Sequence, residues 1–342
     1  MAIVITLSNE LASEVNRLNQ FVSRGATRYR FNTSFSSPEI INYSAESLQK
    51  IGASLNQKID VIIDLPGKKR RLGKLKENVI ELAAGQVLGF CLGKKVAGSN
   101  EIIPIPEQDF LDLLEPGDHF FIKDGKIKFL ITTVDSKSNC FTAQCLTTAR
   151  VESFLGYSLH LKKLASLNLQ EHDSDRLDKY EFRYINQIAV SYAESPVALE
   201  EMKKSLLMSG NKAEIIAKIE TQAGFDKILE LDKVCHELWF CRGDFANNVS
   251  VENLYHYEKK LLNLIPRLKS PVYVAGENML GMVHGSLPSR AEISHLSYLF
   301  ENGINGIVLS DETVKSENPL DAFLFAQKIS KKYGHKEGIL NL

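Results

Sequence analysis

The sequence predicts an α/β protein: a (β/α)8 barrel interrupted by an all-β insertion after its third strand. Three observations carry this expectation. Short apolar runs alternate with helix-like stretches until eight strand–helix units can be counted. The run Val61–Leu65, VIIDL, is almost wholly apolar, as a parallel strand covered on both faces must be. Between these units, residues 73–164 lose the alternation and read as strands divided by turns. A doubly wound open sheet is the structural alternative.

The elements follow in order. Ala2–Leu7 reads as the first strand, and Ser8–Arg24 as a helix with Ser8 as cap and Leu11, Val15, Leu18 and Val22 at helical spacing. Arg28–Phe31 is the second strand, followed by a helix near Ala45–Leu55; Asp60–Leu65 is the third strand. In the insertion, Gly117, Asp124-Gly125 and the Asp135–Asn139 turn separate β-rich runs, which suggests meander and hairpin. Alternation then resumes. A helix over Asp173–Tyr184 precedes strand Gln187–Ser191, and helix Pro196–Met208 precedes strand Glu214–Ile219. Helix Phe225–Leu231, strand Glu237–Cys241 and helix Val251–Ile265 follow. Strand Pro271–Ala275, helix Ser289–Phe300, strand Gly306–Leu309 and helix Pro319–Tyr333 complete the count. The expected domains are 1–72 with 165–342 as the barrel and 73–164 as the insertion.

Composition narrows the function. The 342 residues carry a net charge of −1, so no overall field draws the chain to nucleic acid or an anionic membrane. No apolar run approaches the ~20 residues that span a bilayer. The opening MAIVITLSNE lacks a basic segment before its apolar stretch, so a secretory signal is not expected. Five cysteines without a CxxC pair read as reduced thiols of a cytoplasmic protein.

The strand ends are loaded with charge. The stretch IIAKIE places Lys218 and Glu220 at the end of the fifth strand, and CRGD places Arg242, Gly243 and Asp244 at the end of the sixth. RYRFNTS contributes Arg30, Asn32 and Ser34; DLPGKKRRLG contributes Asp64, Lys69 and Arg71; LSDET contributes Ser310 and Glu312. PSRAE opens a helix with a capping box of Ser289 and Glu292, with Arg290 in its first turn. In a barrel all these ends share one face, where active sites are built. Two carboxylates suit a Mg²⁺ ion that keeps several waters, and clustered Arg and Lys suit phosphate oxygens. Together they point to phosphoryl chemistry by positioning and charge neutralisation. Neither a P-loop nor a Rossmann glycine pattern occurs. His172, His236, His284 and His295 are scattered and are not expected to be ligands.

These six motifs, in their order along the chain, resemble those of the pyruvate kinase family, which moves phosphate between phosphoenolpyruvate and ADP, giving pyruvate and ATP. The resemblance implies catalytic roles for Lys218 at the phosphoryl group and enolate oxygen and for Arg30 at the substrate phosphate. It implies Mg²⁺ on Glu220 and Asp244, and a substrate carboxylate on the amides of Gly243 and Asp244. Arg71 and Asn32 would face the nucleotide. Asn32, Ser34 and Asp64 would form a monovalent-cation site. Members that need K⁺ usually carry Glu where Lys69 stands here, so K⁺ can be accommodated but is not expected to be required. The insertion matches the family's mobile lid, and the family's C-terminal regulatory domain, with its sugar-phosphate activation, is expected to be absent. A homodimer is compatible with the sequence.

The pattern also departs from the family. After the seventh strand, VYVAGENMLG puts Gly276 or Glu277 where the family has a threonine that holds the carboxylate and delivers a proton. The residues after Asp244 lack the family's Leu-Gly and Val-Glu, Glu194 replaces an arginine, and the lid lysine has only Lys162 and Lys163 nearby. Two other readings therefore stand beside pyruvate kinase-like transfer. One is a pathway enzyme for a different 2-oxo acid or enol phosphate; the other is a degenerate binding subunit.

Overall fold

The computed structural model describes the chain except residues 68–70, 94–95, 97, 100, 107–109, 124–125, 161–176, 284, 286, 315, 317 and 335–342; of residues 113, 158–160 and 312 it describes the backbone alone. The chain forms two compact units. The first comprises Met1–Gly67, Leu169–Gly243 and Tyr255–Leu342, the second Lys68–Asn168 and Asp244–Leu254. The strands run in chain order as β1 (Ala2–Thr6), β2 (Arg28–Asn32), β3 (Asp60–Leu65), β4 (Val79–Leu82), β5 (Val87–Leu92), β6 (Ile102–Ile105), β7 (His119–Ile122) and β8 (Ile127–Asp135). They continue as β9 (Cys140–Cys145), β10 (Ala149–Glu152), β11 (Tyr157–His160), β12 (Gln187–Val190), β13 (Glu214–Ile219), β14 (Glu237–Cys241), β15 (Val272–Ala275) and β16 (Gly306–Leu309).

The first unit is the (β/α)8 barrel that the sequence predicts. Its closed order is β1-β16-β15-β14-β13-β12-β3-β2, with parallel pairing throughout. The apolar runs fit this: residues along β12 and β16 are all buried, which only a sheet covered on both faces allows. Val4, Ile62, Ala189, Ile216, Trp239, Tyr273 and Val308 fill one continuous core. β2 contributes Arg28 and Arg30 instead, two residues apart and hence on one face. Arg28 bonds Glu237 and Gln187, each at 2.6 Å; Arg30 serves the opposite strand ends described below.

Several helices differ from expectation. Ser8 caps as predicted, with the Leu11 amide 3.2 Å from its hydroxyl, but the expected helix breaks at Glu14 into Asn9–Ser13 and Val15–Ser23. The helix before β3 begins earlier, at Pro38, where a proline in the first turn and the Ser37 cap favour a start. Of the helix expected over 173–184, residues 173–176 lie outside the described residues, and Asp178–Tyr184 form turns. The side chain of Asn42 binds both the Lys179 carbonyl (3.1 Å) and the Glu181 amide (2.9 Å), groups that a helix would have used. The Phe225–Leu231 helix is two pieces, Gln222–Asp226 and Ile228–Leu231. Unforeseen helices Arg242–Val249 and Asp311–Val314 follow β14 and β16 directly, and the stretch from Val251 opens as a 3-10 turn before helix Leu254–Leu264. The terminal helix Pro319–Tyr333 packs on β1, with Phe323 edge-on to Phe21.

The second unit holds a six-stranded sheet, β11-β7-β8-β9-β5-β6, and a ribbon of β10 with β4. Buried and half-buried residues alternate along β9, and Phe90, Phe120, Phe129 and Phe141 pack as a ring cluster with Phe90 and Phe141 stacked 5.0 Å apart. Cys91 and Cys140 stand directly opposite across β5 and β9, Cα atoms 4.1 Å apart, and are joined as a disulfide. This corrects the expectation of reduced thiols throughout, because sequence spacing does not show the strand register that pairs them. Cys145, Cys235 and Cys241 form no disulfide. Among the described residues no helix is long and apolar enough to cross a membrane.

Candidate active site

The C-terminal strand ends of the barrel gather one dense group of charges around Lys218. Its Nζ lies 3.0 Å from Asp64 Oδ1, 3.0 Å from Glu220 Oε1 and 2.8 Å from Ser191 Oγ. Lys218, Glu220 and Asp64 are 8%, 1% and 2% exposed, so each charge depends on its partners rather than on water. Arg30 donates from Nε to Asp64 Oδ2 at 2.6 Å and from its terminal nitrogen to Thr6 Oγ1 at 2.7 Å. Asp64 is thus shared by two cations from two different strands.

The electrostatics follow. Burial alone would push the Asp64 carboxyl up, but Lys218 and Arg30 outweigh it and hold the group below the usual carboxylate range. Burial likewise opposes the charge of Lys218, and Asp64 with Glu220 overcome it and raise its pKa. Arg30 is raised against burial by Asp64 and then Asp311. The result is an ammonium and a guanidinium fixed in the charged state at the strand ends, suited to the oxygens of an anion. Glu220 is aimed by its neighbour: the Tyr192 amide donates to Oε2 at 2.7 Å, from a residue whose φ of 54° is left-handed.

The other expected residues divide. Asn32 donates to Asp311 Oδ2 at 3.3 Å, and its Oδ1 receives the Ser34 amide at 3.1 Å. Asp244 lies in the first turn of Arg242–Val249 and, like Arg71, belongs to the second compact unit; Arg71 donates to the Phe154 carbonyl at 3.1 Å. Gly243 lies in the first turn of the same helix, after Arg242. Gly276 has φ 92°, and a Cβ there would meet the Gly243 nitrogen at 3.1 Å. Glu277 is exposed and left-handed. Glu194 accepts from Thr221 Oγ1 at 2.6 Å, and burial pushes its carboxyl up. The Ser289–Glu292 capping box is present, and Ser310 faces Thr313. Lys69, Lys162, Lys163 and the Glu312 side chain lie outside the described residues.

Sequence reasoning missed Thr6, Ser191, Tyr192 and Asp311, since strand-end hydroxyls and a single amide carry no pattern. It also missed the partners of Arg242. That side chain contacts His295 Nδ1 at 3.0 Å, Asn278 Oδ1 at 2.9 Å and the Gly276 carbonyl.

Among the described residues, no three His, Cys, Asp or Glu side chains gather into a ready-made metal cage. Mg²⁺ needs none: one or two carboxylates, water and substrate oxygens complete its shell, and Glu220 at the end of β13 offers a carboxylate of that kind.

The comparisons agree with this architecture. The family described as "Pyruvate kinase, barrel domain" matches residues 1–323. The chain is 25% identical over 318 residues to pyruvate kinase 2 of Synechocystis sp., covering 92% of the chain and 54% of that protein. It is 26% identical over 309 residues to the pyruvate kinase of Methylorubrum extorquens, covering 90% and 63%. The crystal structure of pyruvate kinase from Pyrobaculum aerophilum superposes with TM-score 0.85 at 22% identity, covering 97% of this chain and 73% of that one, a likeness of fold. The chain therefore spans about half to two-thirds of the length of these curated relatives. With the matched region taking in every barrel strand and the Lys218 cluster, this chain belongs to the pyruvate kinase barrel-domain family.

Proposed function

We propose that this chain transfers a phosphoryl group between phosphoenolpyruvate and ADP, giving pyruvate and ATP, with Mg²⁺ as its metal. The observation that carries the reading is Lys218, buried yet held charged by carboxylates 3.0 Å away on either side. Phosphoryl transfer asks a protein for positioned charge more than for covalent chemistry. Lys218 would neutralise the phosphoryl group in transit and the enolate oxygen it leaves behind. Arg30 would hold the substrate phosphate. The amides of Gly243 and Asp244, at a helix start, would receive the substrate carboxylate, with Gly276 leaving that approach open. Glu220 and Asp244 would hold Mg²⁺, which when bound supplies charge neutralisation to the substrate oxygens. Arg71 and Asn32 would face the nucleotide. Asn32, Ser34 and Asp64 would line the monovalent-cation position, with Lys69 standing in for K⁺, so that replacing K⁺ by an inert cation leaves the rate unchanged.

A second reading has its own support. Neither Gly276 nor Glu277 supplies the hydroxyl that the family uses to hold the carboxylate and protonate the enolate, which favours a different enol phosphate or 2-oxo acid. Pyruvate formation from phosphoenolpyruvate, ADP and Mg²⁺ separates the two. The first reading expects turnover that falls by at least about 10² in Lys218→Met and likewise in Glu220→Gln. No turnover, with ligand binding still dependent on Mg²⁺, supports the second. Absence of both turnover and Mg²⁺ binding supports a degenerate binding subunit.

A further inference from the structure

The barrel holds a further, half-buried cation, organised on a different plan. The described hydrogen-bond acceptors of Arg242 are all uncharged: the Gly276 carbonyl, Asn278 Oδ1 at 2.9 Å and His295 Nδ1 at 3.0 Å. Behind the imidazole, His295 Nε2 lies 2.7 Å from Glu258 Oε1, on a residue 5% exposed. A guanidinium only donates. Nδ1 must therefore present its lone pair, and Nε2 must carry the proton given to Glu258. Arg242 and Glu258 are the charged groups bonded to the ring, and Glu258, Glu277 and Glu292 are the carboxylates whose charge acts on Arg242.

The far side of Arg242 holds a strained turn. Gly276 takes φ 92° at no steric cost, but Glu277 and Met279, without that freedom, have φ of 51° and 60°. Such backbone persists only where its surroundings over-determine it. Asn278, 1% exposed, donates to the Val274 and Val308 carbonyls at 2.9 and 3.0 Å, and its own carbonyl accepts from Thr313 at 3.0 Å. Arg242 locks this turn to the start of its own helix, where Gly276 lies against the Gly243 amide.

We propose that His295 is a positioning residue: held as the Nε2–H tautomer between Glu258 and Arg242, it fixes the guanidinium that clamps the 276–279 turn beside the Gly243 amide, and thereby sets how tightly the site takes its substrate's carboxylate. The carboxylate rests on the function proposed above; the clamp does not.

Two substitutions divide the imidazole between its nitrogens. Asn at 295 puts an oxygen where Nδ1 stands and keeps the acceptor for Arg242. Gln reaches the place of Nε2 and keeps the donor to Glu258, but loses that acceptor. Amide hydrogen exchange of residues 276–279 is read first, because it needs no substrate. In His295→Gln it is expected to quicken at least about tenfold while His295→Asn stays near wild type. KM for phosphoenolpyruvate is expected to rise about tenfold in His295→Gln, with kcat within about threefold, and to return toward wild type in His295→Asn. Equal behaviour of the two variants, or unchanged exchange in His295→Gln, overturns the clamp. The exchange difference without any turnover by wild type supports the clamp and removes the reaction assigned above.

Discussion

Two sides of the same barrel mouth hold buried and half-buried cations by opposite means. Around β2, β3 and β13, Arg30 and Lys218 are neutralised by carboxylates, Asp64 and Glu220, at 2.6–3.0 Å. Beyond β14 and β15, Arg242 meets a carbonyl, an amide oxygen and an imidazole, and that imidazole in turn meets Glu258. The pKa shifts record the contrast. Burial lowers Arg242, whereas Lys218 and Arg30 are raised in spite of burial. The first arrangement fixes charge where an anion can use it; the second fixes the shape of a loop.

The largest expected effect falls on the charged side. Asp64→Asn leaves two buried cations sharing a neutral group, and removing one partner of a buried pair costs about 3–5 kcal/mol; urea unfolding should show a loss of that size. A loss under about 1 kcal/mol would mean that the cluster relaxes into water. On the neutral side, Asn278→Ala strips donors from the Val274 and Val308 carbonyls and one acceptor from Arg242. Buried groups left without partners cost about 1–3 kcal/mol, so the same measurement should find a smaller loss.

Acid sharpens the comparison further. The folded pKa of Asp64 is depressed, so its stabilisation is fully present above the unfolded value of about 3.9 and is lost as pH falls through the lower folded value. Wild type should lose stability steeply below about pH 4, and Asp64→Asn less so. Glu194 runs the other way. Its folded pKa is raised by burial, so ionisation there opposes folding near neutral pH and the opposition fades as pH falls through the folded value. Glu194→Gln, partly solvated and bonded to Thr221, should change stability at pH 7 by less than about 0.5 kcal/mol, in the stabilising direction; thermal melts at pH 5 and 7 would reveal it.

What could be read from the sequence followed physical visibility. The strands were legible because a parallel strand buried on both faces must be apolar, as in Val61–Leu65 and Ile215–Ile219. Lys218 and Glu220 were legible because a charge terminating such a run needs a reason. The Ser289 capping box was legible because its chemistry is local. Thr6 and Ser191 were hidden, since their importance comes from neighbours 24 and 27 residues away. The turns over Asp178–Tyr184 depend on Asn42, more than 130 residues distant, and the Cys91–Cys140 pairing depends on a strand register that no spacing encodes. Asn278 and His295 were hidden for the same reason: a clamp built from uncharged acceptors leaves no charge pattern in the sequence.

The central claim, that Glu220 and Asp244 jointly serve a metal beside Lys218, is met most directly by calorimetric titration of Mg²⁺ in the presence of phosphoenolpyruvate, into wild type, Glu220→Gln and Asp244→Asn. One ion should bind wild type, and each substitution alone should weaken it by at least about tenfold. If either carboxylate can be removed with Mg²⁺ affinity unchanged, the two do not share an ion and the account of the site is wrong.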